Sequence, residues 1–313
     1  SAHAYCMAID SVTIAYLKAH YPLEFYKCVL QRFTDKGEKD KVALIKQEML
    51  KRGYKLKDIQ FGDDNRAFNI DRANNCIVQT MASIKDMPKS TPEALYELGK
   101  ANIKNRAALY QALMDDPRIN KKAIEILFHL GYFDKFAQPN RLIVEYEIYQ
   151  KYISAKVLTK SSFDDIMIDA IRPCCGKETE KQFREIDNKA LITALIKQSN
   201  IKPATIVDRI KWQLEYLGYC TVNDPNSDTN DWLVLDVKIT GYGTVYCTLY
   251  NLCYGAERTY RANKKFWTNH QLSRGDIARV VLQEKNKMKK DENGEWVTLS
   301  ETYKEMKLWK KLE

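Results

Sequence analysis

The sequence predicts an α+β chain of more than one domain. A helical part runs to about residue 222, and a small five-stranded β-barrel occupies 223–313. Three observations carry this. Up to residue 220 the apolar residues recur at helical spacing, with short breaks. From Trp232 the period changes from 3.6 to 2. Between them lies N-D-P-N-S-D-T-N-D (223–231), a linker by composition. A length of 313 residues and a hydrophobic content of 45% suit two or three domains with real cores.

Residues 4–20 read as an amphipathic helix with Ile9, Val12, Ala15, Tyr16 and Ala19 on its apolar face. Pro22 ends it, because the residue before a proline avoids the α region. Leu23, Phe25, Tyr26, Val29 and Leu30 begin a second helix. After a polar loop (34–40), Lys41–Arg52 form a third, closed by Gly53. Residues 54–70 break in the manner of short strands and turns. Thr91-Pro92-Glu93 offer an N-cap with proline at the first helical position. Asn120 caps a helix with Ile124, Leu127 and Phe128 on its core side, and Gly131 ends it. Residues 142–200 read as a charged, helical connection.

Strands are expected near 232–240, 244–254, 256–262, 276–284 and 296–308, with an insert at 263–274. Gly241/Gly243, Gly255, Gly275 and Asn293-Gly294 punctuate them. Five short strands with one such insert suggest an OB-fold. On strand 244–250, Val245, Cys247 and Leu249 suit the interior. Tyr246, Thr248 and Tyr250 point out, and the tyrosines resemble a stacking platform for single-stranded bases. Arg258, Arg261, Lys264 and Lys265 follow and could track a phosphate backbone. Residues 256–313 hold fourteen Lys/Arg against nine Asp/Glu, so much of the net charge of +9 lies there.

Composition excludes other classes. Charged residues at 29% and a mean hydropathy of −0.49 argue against a membrane protein. The eight cysteines form no C-x-x-C pair and read as reduced thiols in the cytoplasm. There is no Gly-rich phosphate loop, no zinc spacing and no Ser-His-Asp arrangement. Asp63-Asp64 and Asp164-Asp165 are adjacent, and neighbours on a helix do not face together. No catalytic residue, metal site or cofactor is expected in this stretch.

Several motifs carry a family resemblance. The chain opens inside an apolar helical pattern, S-A-H-A at 1–4, followed by Ala15-Tyr16-Leu17-Lys18-Ala19-His20-Tyr21-Pro22. These resemble the late fingers of the alpha subunit of bacterial DNA polymerase III, the C family of replicative polymerases. Ile84-Lys85 resembles the start of that family's Ile-Lys-Gly-Val-Gly hairpin, with Asp86-Met87-Pro88 in place of the glycine-bearing end. R-I-N-K-K-A-I-E-I-L-F-H-L-G-Y-F-D (118–134), with Arg141 following, resembles the family's next helix, and 209–222 its exit helix.

The resemblance implies late-fingers helices at 1–72, helix-hairpin-helix modules at 73–150, a helical connector at 151–222 and an OB-fold at 223–313. It implies that the chain is a C-terminal portion of a longer polymerase, whose palm holds the Mg²⁺ and the catalytic carboxylates outside this sequence. His3 would lie near the incoming nucleotide's triphosphate. Lys85 and Lys89 would flank the hairpin on duplex DNA, although Asp86 and Pro88 weaken its grip on phosphate. Tyr246, Tyr250, Arg258, Arg261, Lys264 and Lys265 would hold single-stranded template. The implied partners are primer-template DNA, other replisome subunits and a sliding clamp. No clean clamp-binding pentapeptide is present: Gln182-Phe183-Arg184-Glu185-Ile186 lacks the final aromatic, and Gln271-Leu272-Ser273 continues Arg-Gly. The alternative is a non-catalytic nucleic-acid-binding or replisome-scaffolding protein built from the same modules.

Overall fold

The computed structural model describes residues 2–290 and 295–312. Ser1 of the opening motif and the Asn293-Gly294 turn lie outside the described residues. The chain divides into two compact units, 1–205 with 211–219, and 206–210 with 220–313.

The first unit begins with α1 (Ala2–His20), α2 (Pro22–Asp35) and α3 (Lys39–Lys51). Pro22 occupies the first turn of α2, where its missing N–H costs nothing. Leu23, Tyr26 and Leu30 of α2 bury against Val42 and Met49 of α3. Helix α1 departs from the expected amphipathic packing. Ile9, Val12, Ala15, Tyr16 and Ala19 are all exposed, as are Tyr5, Met7 and Ile14. Its last turn is tied to α3 by Lys18, whose Nζ lies 2.6 Å from Glu48.

Residues 54–80 form a small three-stranded sheet, with β1 (Lys55–Lys57) parallel to β3 (Cys76–Val78) and β2 (Asn69–Asp71) antiparallel to it. Phe68 and Ile77 plug this sheet into the α2–α3 core. A 3-10 turn (Met81–Ser83) then leads through the hairpin at 84–90 into α4 (Thr91–Lys100). The expected Thr91 cap is displaced by one residue. Ser90 holds the cap position without a side-chain bond, and the Thr91 hydroxyl donates to the Arg118 carbonyl instead.

Helices α5 (Arg106–Asp115), α6 (Lys121–His129) and α7 (Pro139–Tyr152) complete the largest core. Asn120 caps α6 by accepting from Ala123 N at 2.8 Å. Ile124, Leu127 and Phe128 are buried. Gly131 ends the helix at φ +73°, a conformation glycine adopts without a Cβ clash.

The reading of 151–222 as a helical connector needs correction. Strands β4 (Val157–Thr159), β5 (Cys175–Glu178) and β6 (Gln182–Ile186) form an antiparallel sheet in the order β4-β6-β5. With α8 (Asp165–Ile171) and α9 (Asn188–Gln198) they enclose their own core of Leu158, Ile171, Phe183, Leu191 and Leu195. The strands are three to five residues long, so burial shows at single positions such as Phe183 and no period emerges. Helix α10 (Ile206–Leu217) follows.

The second unit is an OB-like barrel. Strands β7 (Asp231–Ile239), β8 (Val245–Asn251), β9 (Ala256–Ala262), β10 (Ile277–Lys290) and β11 (Trp296–Leu312) close in the order β10-β11-β9-β8-β7. The β10–β7 pairing seals the ring, and β11 runs parallel to β9. One short helix, α11 (Lys264–Trp267), fills the insert between β9 and β10. Val245, Cys247 and Leu249 fill the interior with Trp232, Val234, Met306 and Trp309, as the alternation predicts. No helix among the described residues is long and apolar enough to cross a membrane.

Candidate nucleic-acid interface

The barrel's outer face carries a row of three side chains in register. Tyr246 of β8 pairs with Lys238 of β7 on one side and Arg261 of β9 on the other. Residues paired across antiparallel strands project on the same face, about 5 Å apart at Cβ. Tyr246 is 40% exposed, and Lys238 and Arg261 are exposed beside it. The next row holds Asp236, Thr248 and Thr259, where the two threonine hydroxyls meet at 3.1 Å.

Above this face lies the β7–β8 turn. The Gly243 amide donates to the Thr240 carbonyl at 2.8 Å, and Gly243 takes φ +72°. That geometry leaves Tyr242 at the tip, 95% exposed. Lys264 reaches the same turn: its Nζ lies 3.5 Å from where a Cβ on Gly243 would stand. Lys265 is exposed next to it on α11.

Of the residues the sequence singled out, Tyr246, Arg261 and Lys264 thus converge on one region, and two others leave it. Tyr250 is 2% exposed, so it offers no stacking face. Its hydroxyl donates to the Val222 carbonyl at 2.7 Å, beneath the strap that enters the barrel. Burial pushes its phenol well above the usual range. Alternation along β8 separates the two sides of the strand, but the strap covers one end of the outer side. Arg258 is three residues from Arg261 and so lies on the opposite side of β9, paired with Leu249. Its guanidinium returns to the Glu257 carbonyl at 2.8 Å.

Arg261 is partly engaged. Its Nε is 3.8 Å from Glu305, which is buried and also pairs with Lys285 and Gln283. An anion approaching the row therefore meets a guanidinium already oriented by a carboxylate. Sequence reasoning missed Lys238 and Tyr242. The signal was the five-residue turn 240–244, which fixes the register and places Lys238 across from Tyr246.

The turn at 84–90 contains no glycine. Asp86 takes φ +60°, the left-handed region that glycine would occupy at no cost. Lys85 and Lys89 are exposed on either side, and Met87 is buried beneath. The Lys85 amide donates to the Tyr216 carbonyl at 3.0 Å, so it is not available to a phosphate. His3 is exposed on the first turn of α1.

The acidic pairs do not fit a catalytic metal. Asp63 pairs with Lys57, Asp64 with Arg66, and Asp164 caps α8 by accepting from Met167 N. Among the described residues, no three His, Cys, Asp or Glu are grouped to hold a metal ion. Both partial clamp motifs are structural: Phe183 sits in the core beside β4, and Leu272 in the barrel core.

The sequence is 26% identical to DNA polymerase III subunit alpha of Campylobacter jejuni over 136 residues, 43% of this chain. The match spans 11% of that relative's length. No protein-family model matches the chain. The likeness fits the resemblance read from the motifs.

Proposed function

We propose that this chain is a DNA-contacting portion of a replicative polymerase of the DNA polymerase III alpha type, and that its barrel holds single-stranded DNA. The observation that carries the reading is the row Lys238–Tyr246–Arg261, an aromatic ring between two cations on the strand face, with Tyr242 and Lys264 at the turn above. OB-type barrels bind oligonucleotides on this face and its flanking loops. Bases stack on the tyrosines and phosphates meet the cations, an arrangement that tolerates any sequence.

In the longer protein, His3 would position the incoming triphosphate, and Lys85 and Lys89 would approach duplex phosphates from the hairpin. Other replisome subunits, a sliding clamp among them, are partners under this reading, and the cytoplasm is its compartment. The polymerase Mg²⁺ and its carboxylates would come from a palm outside this sequence, so the chain alone should extend no primer. Binding of a labelled oligo-dT, and its loss on removing the tyrosines, tests the barrel's role.

A second reading is a replisome scaffold without catalysis. One observation favours it: Asp86 is exposed at the hairpin tip, where its charge would repel a phosphate.

A further inference from the structure

The helical unit contains a groove that neither the motifs nor the barrel account for. Two cavities of about 580 and 560 Å³ share Arg106, Glu145, Thr193 and Ile196, so they run into one another between α5, α7 and α9. Each is the size of a small-molecule site, which spans about 300–1,000 Å³.

Glu145 is 1% exposed and organises the groove floor. Its Oε2 accepts from Arg106 Nε at 2.6 Å and from the Tyr110 hydroxyl at 3.0 Å, and its Oε1 accepts from Arg141 Nε at 2.7 Å. Burial pushes this carboxyl up, and the bonds from Arg141, Arg106 and Tyr110 outweigh that and hold it ionised. Both arginines are held through Nε, so their Nη groups are not spent on the carboxylate. Two guanidiniums fixed in this way form a preorganised seat for an oxyanion.

The rest of the lining reinforces the sign. Lys104, Lys135 and Lys189 border one cavity and Lys197 the other. Among the described residues, Lys104, Lys189 and Lys197 have no carboxylate within ion-pair distance. The lining therefore holds six cations and a single carboxylate that is already shared between two of them. A metal ion or an amine would be repelled. The same lining also carries apolar and aromatic side chains that form a wall: Phe136, Tyr149, Ile153 and Ile192. An inorganic anion would satisfy the cations and leave this wall in water.

We infer that the groove binds a nucleoside phosphate, with its phosphates on Arg106, Arg141 and the surrounding lysines and its base against Phe136 and Tyr149. The ligand is either a free nucleotide or the phosphorylated end of a nucleic acid. The groove does not depend on the barrel surface, and the two are separable by mutation.

Calorimetric titration of the whole chain with four probes tests this: dTTP, thymidine, inorganic triphosphate and a 5′-phosphorylated oligo-dT. Lys104→Glu with Lys189→Glu is the first variant, since both side chains are exposed and their loss leaves the core intact. Thr193→Trp, which fills the shared stretch, is the second. Saturable binding of dTTP, at least about tenfold tighter than thymidine or triphosphate alone, is the expected result. Both variants should weaken it at least about tenfold with an unchanged melting temperature, the first by losing charge-assisted bonds and the second by occupying the shared space. If dTTP is silent and the 5′-phosphorylated oligonucleotide responds to both variants, the ligand is a nucleic-acid end. Absence of saturable binding by either probe at millimolar concentration would overturn the inference. So would triphosphate binding as tightly as dTTP, or indifference to both variants. Binding of unphosphorylated oligo-dT to the barrel should survive Lys104→Glu and Lys189→Glu.

Discussion

Arg261 sits directly across the β8–β9 ladder from Tyr246, and one strand further on it lies across from the buried Glu305. The ring and the guanidinium share an outer face, and the Glu305 carboxylate lies 3.8 Å from the guanidinium on the neighbouring strand. Charge reversal at Lys238 and Arg261 should therefore act on the electrostatic part of binding. Each phosphate no longer neutralised should flatten the log–log salt slope by about 0.7 for single strands. A slope equal to wild type across 50–200 mM salt would mean that neither cation meets a phosphate.

Tyr250 should behave as a structural residue. Tyr250→Phe removes the bond to the Val222 carbonyl and should cost about 1 kcal/mol, the usual net contribution of one hydrogen bond. Tyr250→Ala should cost about 3–5 kcal/mol through the cavity it leaves. Oligonucleotide affinity of the folded Tyr250→Phe protein should match wild type. A loss of several-fold at unchanged stability would restore a direct role for this tyrosine.

The hairpin should regain phosphate affinity when its glycines are restored. Asp86 already holds φ +60°, so Asp86→Gly needs no backbone change and relieves about 1 kcal/mol of left-handed strain. Asp86→Gly with Pro88→Gly should tighten duplex binding and steepen its salt slope by about 0.9 for each phosphate newly held. Duplex affinity that stays flat would show that the hairpin does not face DNA.

Lys46 gives the helical unit a pH dependence near neutrality. It is fully buried, donating to Gln79 and Ser83 at 2.8 Å each and lying over the Phe68 and Tyr219 rings. Burial brings it down to about 7 from 10.5. Between these values the unfolded chain binds a proton that the folded chain does not, so stability rises with pH across about 7–10.5. Lys46→Met keeps the stem and removes the titration. Denaturant midpoints at pH 7 and 9.5 should separate for the wild type and coincide for the variant. Equal gains in both proteins would assign the rise to other groups.

The barrel was legible because its strands run seven residues or more and the interior set Val245, Cys247, Leu249 on β8 alternates and is uniformly apolar. Asn120 and Gly131 marked α6 through local chemistry that needs no tertiary context. What escaped depends on interactions distant in sequence. The strap residue Val222 hides Tyr250, and Lys238 meets Tyr246 through register. The 157–186 sheet has strands too short for a period, and Glu185, at φ +53°, breaks the alternation of β6. Glu145 looked like one more charge in a polar helix, because the arginine partner that buries it from α5 lies thirty-nine residues away.

The most direct test is fluorescence anisotropy of the whole chain with a labelled oligo-dT at low salt, comparing wild type with Tyr242→Ala/Tyr246→Ala. Stacking of a base on an aromatic is worth about 1–3 kcal/mol, so the double variant should bind at least roughly tenfold more weakly while melting at the wild-type temperature. Wild-type binding should saturate at micromolar protein. No binding at tens of micromolar, or equal affinity in the two proteins, would contradict a single-strand role for this face.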